Sequence, residues 1–438
     1  MKNNLFLLVA VVLNGAMLSC SSSEEESVDL GEAKQVVNMV SEPQPIELTE
    51  AQRVFANDNN KFTLNFLKTV NDVDQSGKSF IYSPLSITYV LGMVNDAAVG
   101  TTEKELEETL GFHKGGIQAV NDYCKKLIDG LPKVDKGVTL NIANAIFLNK
   151  EYTLKKKFEQ DMQTYYDAKA EALDFSSSRT LDHINGWCND MTNGMIPTIL
   201  DEVNPDMVSY LLNAIYFKAD WYSKFDPKNT KEENFHPEFN YLMDVSDNPI
   251  IKLPMMHQNV LISYIKNDIY SAISIPYGNC RYSMTVLLPE EGKTTYDVIA
   301  EMTKDGWKID FTNLMSAYEV DLKLPRFETA SDTDELNVEK GLVGLMKKMG
   351  INLAFDSDFA EIPNMCEMPV YIDMMRQKAK IKVNEEGSEV AVVTTAGVNM
   401  KDAFIHPKAT FHANRPFVYM ISESSSGVIL FVGKFTGQ

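Results

Sequence analysis

The 438-residue chain holds six histidines, five cysteines and 61 acidic residues, so the search for chemistry starts with their spacing. None of His113, His183, His236, His257, His406 and His412 has another histidine four residues away, and none sits in an HExxH, so a catalytic metal lacks its ligand set. No serine lies in a GxSxG elbow, and no GxxxxGK[ST] loop is present to cradle phosphate. Cys188, in Trp187-Cys188-Asn189, lies in a helical pattern without an activating motif and reads as a packed thiol. Cys124, Cys188, Cys280 and Cys366 are far apart with no CxxC spacing, which argues against zinc. An exported chain could pair them in more than one way, and sequence does not choose; scattered buried thiols are the simpler reading. The acidic clusters Glu105-Glu107-Glu108 and Glu232-Glu233 read as solvated faces. An enzyme is not expected, nor is a cofactor.

One stretch is unusual for another reason. Lys380 to Asn384 alternates polar and apolar residues, as a strand with one buried face does. Glu385-Glu386-Gly387 interrupts it with two carboxylates and a glycine that turns without a Cβ penalty. Mostly small and β-branched residues follow from Ser388 to Val398, and no proline occurs between Lys380 and Pro407. Period two puts Ser388, Val390, Val392, Thr394 and Ala396 on one face, and Glu389, Ala391, Val393 and Thr395 on the other. This is either an ordinary strand after a turn or a loop able to become a strand.

The rest of the chain must position that stretch. At 44% hydrophobic it can bury a large core, and a net charge of -20 makes nucleic acid an unsuitable partner. The same charge argues against a polyanionic activator. Lys2, the apolar run Leu5 to Leu13 and the small residues before Cys20 form a secretory signal over 1–19, too short to span a membrane as a helix. Residues 20–48 are polar and acidic and read as a flexible tether. From 49 to 438 no linker and no repeat appears, so one domain is expected.

Thr49 opens a helical pattern with Val54, Phe55, Phe62, Phe66 and Leu67 on one face. Phe80-Ile81-Tyr82 is strand-like, and Ser83-Pro84 opens a helix, Leu85 to about Ala98, that is apolar almost all round. Thr102 and Glu105 have capping-box spacing. Strand patterns cover 140–148, 208–217, 250–255, 272–275, 283–288, 320–324, 417–421 and 428–432, with helical ones near 117–130, 157–165, 180–193, 294–304 and 335–348. Helices come early and antiparallel-type strands late, which is an α+β pattern.

Several blocks resemble the serpin family, in one order from Thr49 to the C-terminus. Phe80-Ile81-Tyr82-Ser83-Pro84-Leu85-Ser86-Ile87 is similar to its SPLSI block. Asn141 to Phe147 resembles its central strand, and Ile184-Asn185-Gly186-Trp187 to Thr192-Asn193-Gly194 its INxW motif, with Met195 in place of a lysine. Leu212 to Lys218 with Trp221, and Phe411 to Phe417, match further blocks. The resemblance implies a three-sheet fold with about eight or nine helices and an exposed reactive-centre loop. It also implies a suicide-substrate inhibitor of serine (or cysteine) proteases, acting as a monomer. Cleavage of the loop lets it insert into the main sheet and trap the acyl-enzyme.

On that resemblance Glu385, Glu386, Gly387, Ser388, Glu389 and Val390 form the hinge, with Val390 where inhibitory members usually carry alanine. The family's spacing puts the reactive bond after Lys401, before Asp402, with cleavage after Met400 as the alternative. Lysine there implies trypsin-like or broad-specificity targets. Ser83, Ser86 and Asn213 match the polar shutter, with Gln377 where many members have histidine. Trp221 and Glu385 match the breach, where Arg326 could pair with Glu385. A non-inhibitory binding or carrier protein is the alternative. Met17-Leu18-Ser19-Cys20 resembles a bacterial lipobox, which implies a lipid anchor on Cys20 at an outer membrane or cell surface; plain secretion is the other reading.

Overall fold

The computed structural model describes residues 42–74, 76–113, 115–237, 250–309, 317–388 and 406–438. Thr49 caps α1 (Glu50–Val73): its hydroxyl accepts from the Gln52 N–H, and the Gln52 side chain accepts from the Thr49 N–H. Phe55, Phe62, Phe66 and Leu67 are buried as their spacing predicts, whereas Val54 lies toward solvent at 42% exposure. Ile46 and Leu48, counted with the tether from composition, are also buried, and the Ile46 N–H donates to the Ser425 hydroxyl. The domain thus begins a few residues before Thr49.

β1 (Phe80–Tyr82) runs through Ser83 into α2 (Pro84–Ala97). Ser83 caps this helix by accepting from the Ser86 N–H, and Pro84 fits its first turn, where no backbone donor is missed. Burial on nearly every side makes α2 the central helix, flanked by α3 (Gly100–Leu110), α4 (Gly116–Val134) and α5 (Lys156–Tyr166). The capping box expected at Thr102 and Glu105 does not form. Thr102 lies inside α3 and accepts from the Glu361 N–H, while Glu105 accepts from the Asn352 and Leu353 N–H groups. The Glu361 carboxylate instead serves the helix start, accepting from the Thr101 N–H. Distant partners replaced the local one.

A six-stranded sheet has the order β10 (Phe327–Asp332), β11 (Met374–Val383), β12 (Gly387–Ser388), β4 (Ser209–Asp220), β2 (Thr139–Asn149) and β3 (Lys169–Leu173). A nine-stranded sheet runs β1, β15 (Ile429–Phe435), β14 (Phe417–Glu423), β8 (Tyr282–Pro289), β7 (Tyr270–Pro276), β6 (Ile251–Lys266), β9 (Ala317–Pro325) and β13 (Lys408–His412), with β5 (Lys231–Phe235) also on β6. The long β6 pairs β9 over Met255–Ser263 and β7 over Ser263–Lys266, so it joins two sheets that share it. Three sheets are present in that sense, with eight α-helices among the described residues.

α6 (Thr180–Met191) lies over the six-stranded sheet. Ile184, Cys188, Ile196, Ile199 and Leu200 pack on Ala143, Phe147, Leu212 and Ala214 of β2 and β4. α7 is Thr295–Met302, and α8 spans only Leu342–Lys348. The longer helix expected over 335–348 is interrupted because Lys340 and Gly341 take positive φ values of 61° and 53°. Cys124, Cys188, Cys280 and Cys366 are free thiols. Three are buried as expected, but Cys280 is exposed. Burial pushes the Cys188 thiol up to about 12, which removes it as a nucleophile.

Candidate functional site: the seam between β4 and β11

Two parallel strands of the six-stranded sheet meet along an incomplete seam. From Met374↔Tyr210 to Lys378↔Ala214, β11 and β4 are paired directly. At the far end β12 lies between them, antiparallel to both, with Ser388 opposite Val383 and Ala219 and with Gly387 opposite Asp220. Between these ends no pairing joins residues 379–382 to 215–218. The offset between β11 and β4 is the same at both ends. A strand could therefore enter by lateral parting alone, without either neighbour sliding.

The wedge end is built around Trp221, which follows β4. Its indole N–H donates to the Asn384 carbonyl at 2.9 Å, and its backbone N–H donates to the Glu386 carbonyl at 2.8 Å. Its ring stacks on Tyr277 with centroids 4.3 Å apart and planes 10° from parallel. The Tyr277 and Ser388 hydroxyls share a hydrogen bond of 2.8 Å, and both residues are buried. Gly387 has φ +154°, and a Cβ there would stand 2.1 Å from the Ala219 carbonyl oxygen. Only glycine lets the turn bring backbone so close to β4.

Glu385 is nearly buried beside this turn. The Arg326 guanidinium donates to both of its oxygens, one at 3.1 Å, and the Thr230 hydroxyl donates at 2.6 Å. Burial alone would raise the Glu385 carboxyl, but these donors overcome it and hold it below the usual range. Glu386 accepts from Lys224 at 2.7 Å. The Arg326–Glu385 pair suggested by resemblance is thus formed.

At the closed end, Gln377 of β11 bridges the seam. Its side-chain oxygen accepts from the Ser83 N–H at 2.9 Å; its amide donates to the Ser83 carbonyl at 3.0 Å and to the Asn213 side-chain oxygen at 3.1 Å. Asn213 donates onward to Asn144 at 2.9 Å. The Ser83 hydroxyl donates to the Leu430 carbonyl at 2.7 Å and shares a hydrogen bond of 3.1 Å with the Ser86 hydroxyl. All these groups are buried, so the polar cluster holds helix α2 and both strands together. Outside the seam, Lys378 donates to the Thr198 carbonyl at 3.0 Å and Arg376 to Asp201 at 3.1 Å. The segment after α6, packed on β2 and β4, thereby also holds β11.

The structure brings Trp221, Arg326, Glu385, Glu386, Gly387 and Ser388 together at one end and Ser83, Ser86, Asn213 and Gln377 at the other. Glu389, Val390, Met400, Lys401, Asp402 and Cys20 lie outside the described residues. Sequence reasoning missed Tyr277, Thr230, Lys224 and Asn144. No motif marks Tyr277, Thr230 or Lys224, whose partners at the seam are remote in the chain, and Asn144 was not singled out within the block Asn141 to Phe147.

The family profile for Serpin (serine protease inhibitor) matches residues 57–437. Antichymotrypsin-2 of Bombyx mori is 31% identical over 399 residues, covering 89% of this chain and 99% of the relative. Serpin B6 of Macaca fascicularis is 29% identical, covering 87% and 99%. Among solved structures, human thyroxine-binding globulin is similar with a TM-score of 0.75 at 26% identity, covering 88% of this chain and 98% of that one. The thermophilic serpin tengpin, in its native state, is similar with a TM-score of 0.73 at 25% identity, covering 90% and 96%. The chain therefore belongs to the serpin family of protease inhibitors.

Proposed function

We propose that this protein inhibits a trypsin-like or broader serine protease as a suicide substrate, with cleavage between Lys401 and Asp402 followed by insertion of the loop along the β4–β11 seam. The observation that carries the reading is the register. If the chain continues past Ser388 as an antiparallel strand, Glu389 comes between Lys382 and Lys218, which supplies opposite charge on the outer face. Val392 comes between Ala379 and Ile215, both buried, and Ala396 between Met375 and Leu211. Thr394 comes between Gln377 and Asn213, so its hydroxyl reaches the one polar pair on the inner face. On the inner face Val392, Thr394 and Ala396 thus meet neighbours of matching polarity. Insertion would exchange the Gln377–Asn213 bond for new partners and add a strand between β11 and β4.

Lys401 fits an acidic specificity pocket; Met400 is the local alternative. An enzyme of another class that forms an acyl intermediate, such as a cysteine protease, fits the same trap. Export with a lipid on Cys20 would place the inhibitor at a cell surface; among the described residues no helix is long and apolar enough to cross a membrane. A carrier role has one observation in its favour, the likeness to thyroxine-binding globulin, a structure solved with thyroxine. Val390, which would come between Ile381 and Phe217, adds bulk where insertion begins.

Incubation of the protein with trypsin and elastase tests the proposal. A covalent complex that survives denaturing electrophoresis is expected with trypsin, and its loss in Lys401→Ala. A clipped chain alone with every protease would overturn inhibition. Unchanged trypsin trapping by Lys401→Ala would move the bond elsewhere.

A further inference from the structure

One carboxylate outside the seam is shared by two imidazoles on different strands. His257 Nε2 on β6 lies 2.7 Å from one oxygen of Asp321 on β9, and His412 Nε2 on β13 lies 2.9 Å from the other. His257 and His412 flank Lys323 in register, so both rings lean along the sheet toward Asp321. All three side chains are between a third and two-fifths exposed, open to protons from solvent. The cluster matters because, among the described residues, β13 pairs with β9 alone and is five residues long. Its other ties include buried Phe411, the Lys408–Glu319 ion pair, the Ala413 N–H to the Lys323 carbonyl, and Asn414 accepting from the His236 N–H.

We propose that His257, Asp321 and His412 form a pH-sensitive latch that tightens β13 onto β9 as the medium becomes acidic. The charges that face the cluster are already matched. On β9, Lys323 is bonded to Glu233 of β5, and Glu319 is paired with Lys408 of β13 at 3.5 Å. His236, exposed beside Asn414, is the other titratable group at this end. Among the described residues, Asp321 is thus the anion of this face whose partners are imidazoles. Burial alone would raise its carboxyl, but hydrogen bonds from His257 and His412 overcome this and hold it below the usual range.

The sign follows from the chemistry. A neutral imidazole can donate one Nε2–H to the carboxylate; protonation at Nδ1 turns that hydrogen bond into an ion pair and strengthens it by the added charge attraction. Protonation of the imidazoles strengthens the latch while the carboxylate stays ionised. Further acidification through the lowered carboxyl of Asp321 releases it.

Hydrogen exchange of the full protein at pH 7.5 and pH 5.5, corrected for the intrinsic pH dependence of exchange, reads the latch at the peptide covering β13. Protection in the native chain is expected to rise by up to about fivefold at the lower pH, the weight of one ion pair at a partly exposed site. In His412→Gln the rise should vanish while α2 keeps its protection. In Asp321→Asn it should reverse, because an imidazolium at position 412 would then face Lys323 with no anion between. An equal pH response in the native chain and His412→Gln, or no response in either, overturns the proposal. The inference does not depend on the inhibitory reading, because it is measured on the uncleaved protein without a protease.

Discussion

Gly387 and Tyr277 decide whether the turn at 385–388 sits in the sheet. A side chain at 387 would collide with the Ala219 carbonyl and would have to hold φ +154°, which costs roughly 1–3 kcal/mol in a rarely populated region. Gly387→Ala is therefore expected to expel Ser388 from between Val383 and Ala219, seen as faster exchange at 384–388. Tyr277→Phe removes one hydroxyl and leaves the buried Ser388 oxygen without its partner, an expected loss of about 1 kcal/mol in denaturant unfolding with the Trp221 stack intact. Glu385 adds a pH dependence of definite sign. Its folded carboxyl lies below the unfolded value, so its stabilisation is complete above pH ~4.3 and is lost as pH falls through the lower folded value. Trp221 fluorescence in a Trp187→Phe, Trp307→Phe background should report that loss in the native chain and stay flat over the same window in Glu385→Gln.

At the scale of elements, β11 and β4 announce themselves in the sequence, and the seam between them does not. The alternation Lys380-Ile381-Lys382-Val383 declares a strand with an inner and an outer face, and the structure buries Ile381 and Val383 accordingly. The turn at Glu385 to Gly387 was legible from one glycine beside two carboxylates. That the turn is clamped was not, since Tyr277 and Thr230 lie on other elements and obey no local period. The capping box at Thr102 failed for the same reason: Glu361 and the 352–353 backbone outcompeted a partner three residues away. Ordered family blocks supplied what periodicity could not, namely that Ser83, Asn213 and Gln377 would meet. The predicted register makes this testable. Thr394→Arg would bring a cation against the buried Gln377–Asn213 pair, whose desolvation costs several kcal/mol. Cleavage after Lys401 should then proceed with no stable complex, whereas Thr394→Ser should trap normally. Equal trapping by both would mean that position 394 does not enter there.

For the whole molecule, the proposed insertion would make the seam a store of free energy. Between Ala379 and Lys382 on β11, and Ile215 and Lys218 on β4, strand edges lack each other as partners, yet the offset on either side is already that of a completed sheet. The closed end is fastened twice, by the Gln377 bridge inside and by the segment after α6 outside, where Lys378 and Arg376 of β11 hold Thr198 and Asp201. On the proposed mechanism these fasteners need only be slow to open, because a barrier and not depth would protect the intact chain. Once the loop is cut, a strand pairing on both edges would add on the order of 10 kcal/mol of hydrogen bonding and burial. With an unfolding entropy near ~2 cal/mol/K per residue, that corresponds to a rise in Tm on the order of 10 °C for a chain of this length. Scanning calorimetry of the protein before and after limited cleavage in the loop reads it directly. Thr394→Arg, cleaved the same way, should melt where the uncut protein does. A cleaved native chain that melts no higher than the intact one would mean that the seam stays closed, and the fold would then serve binding rather than trapping.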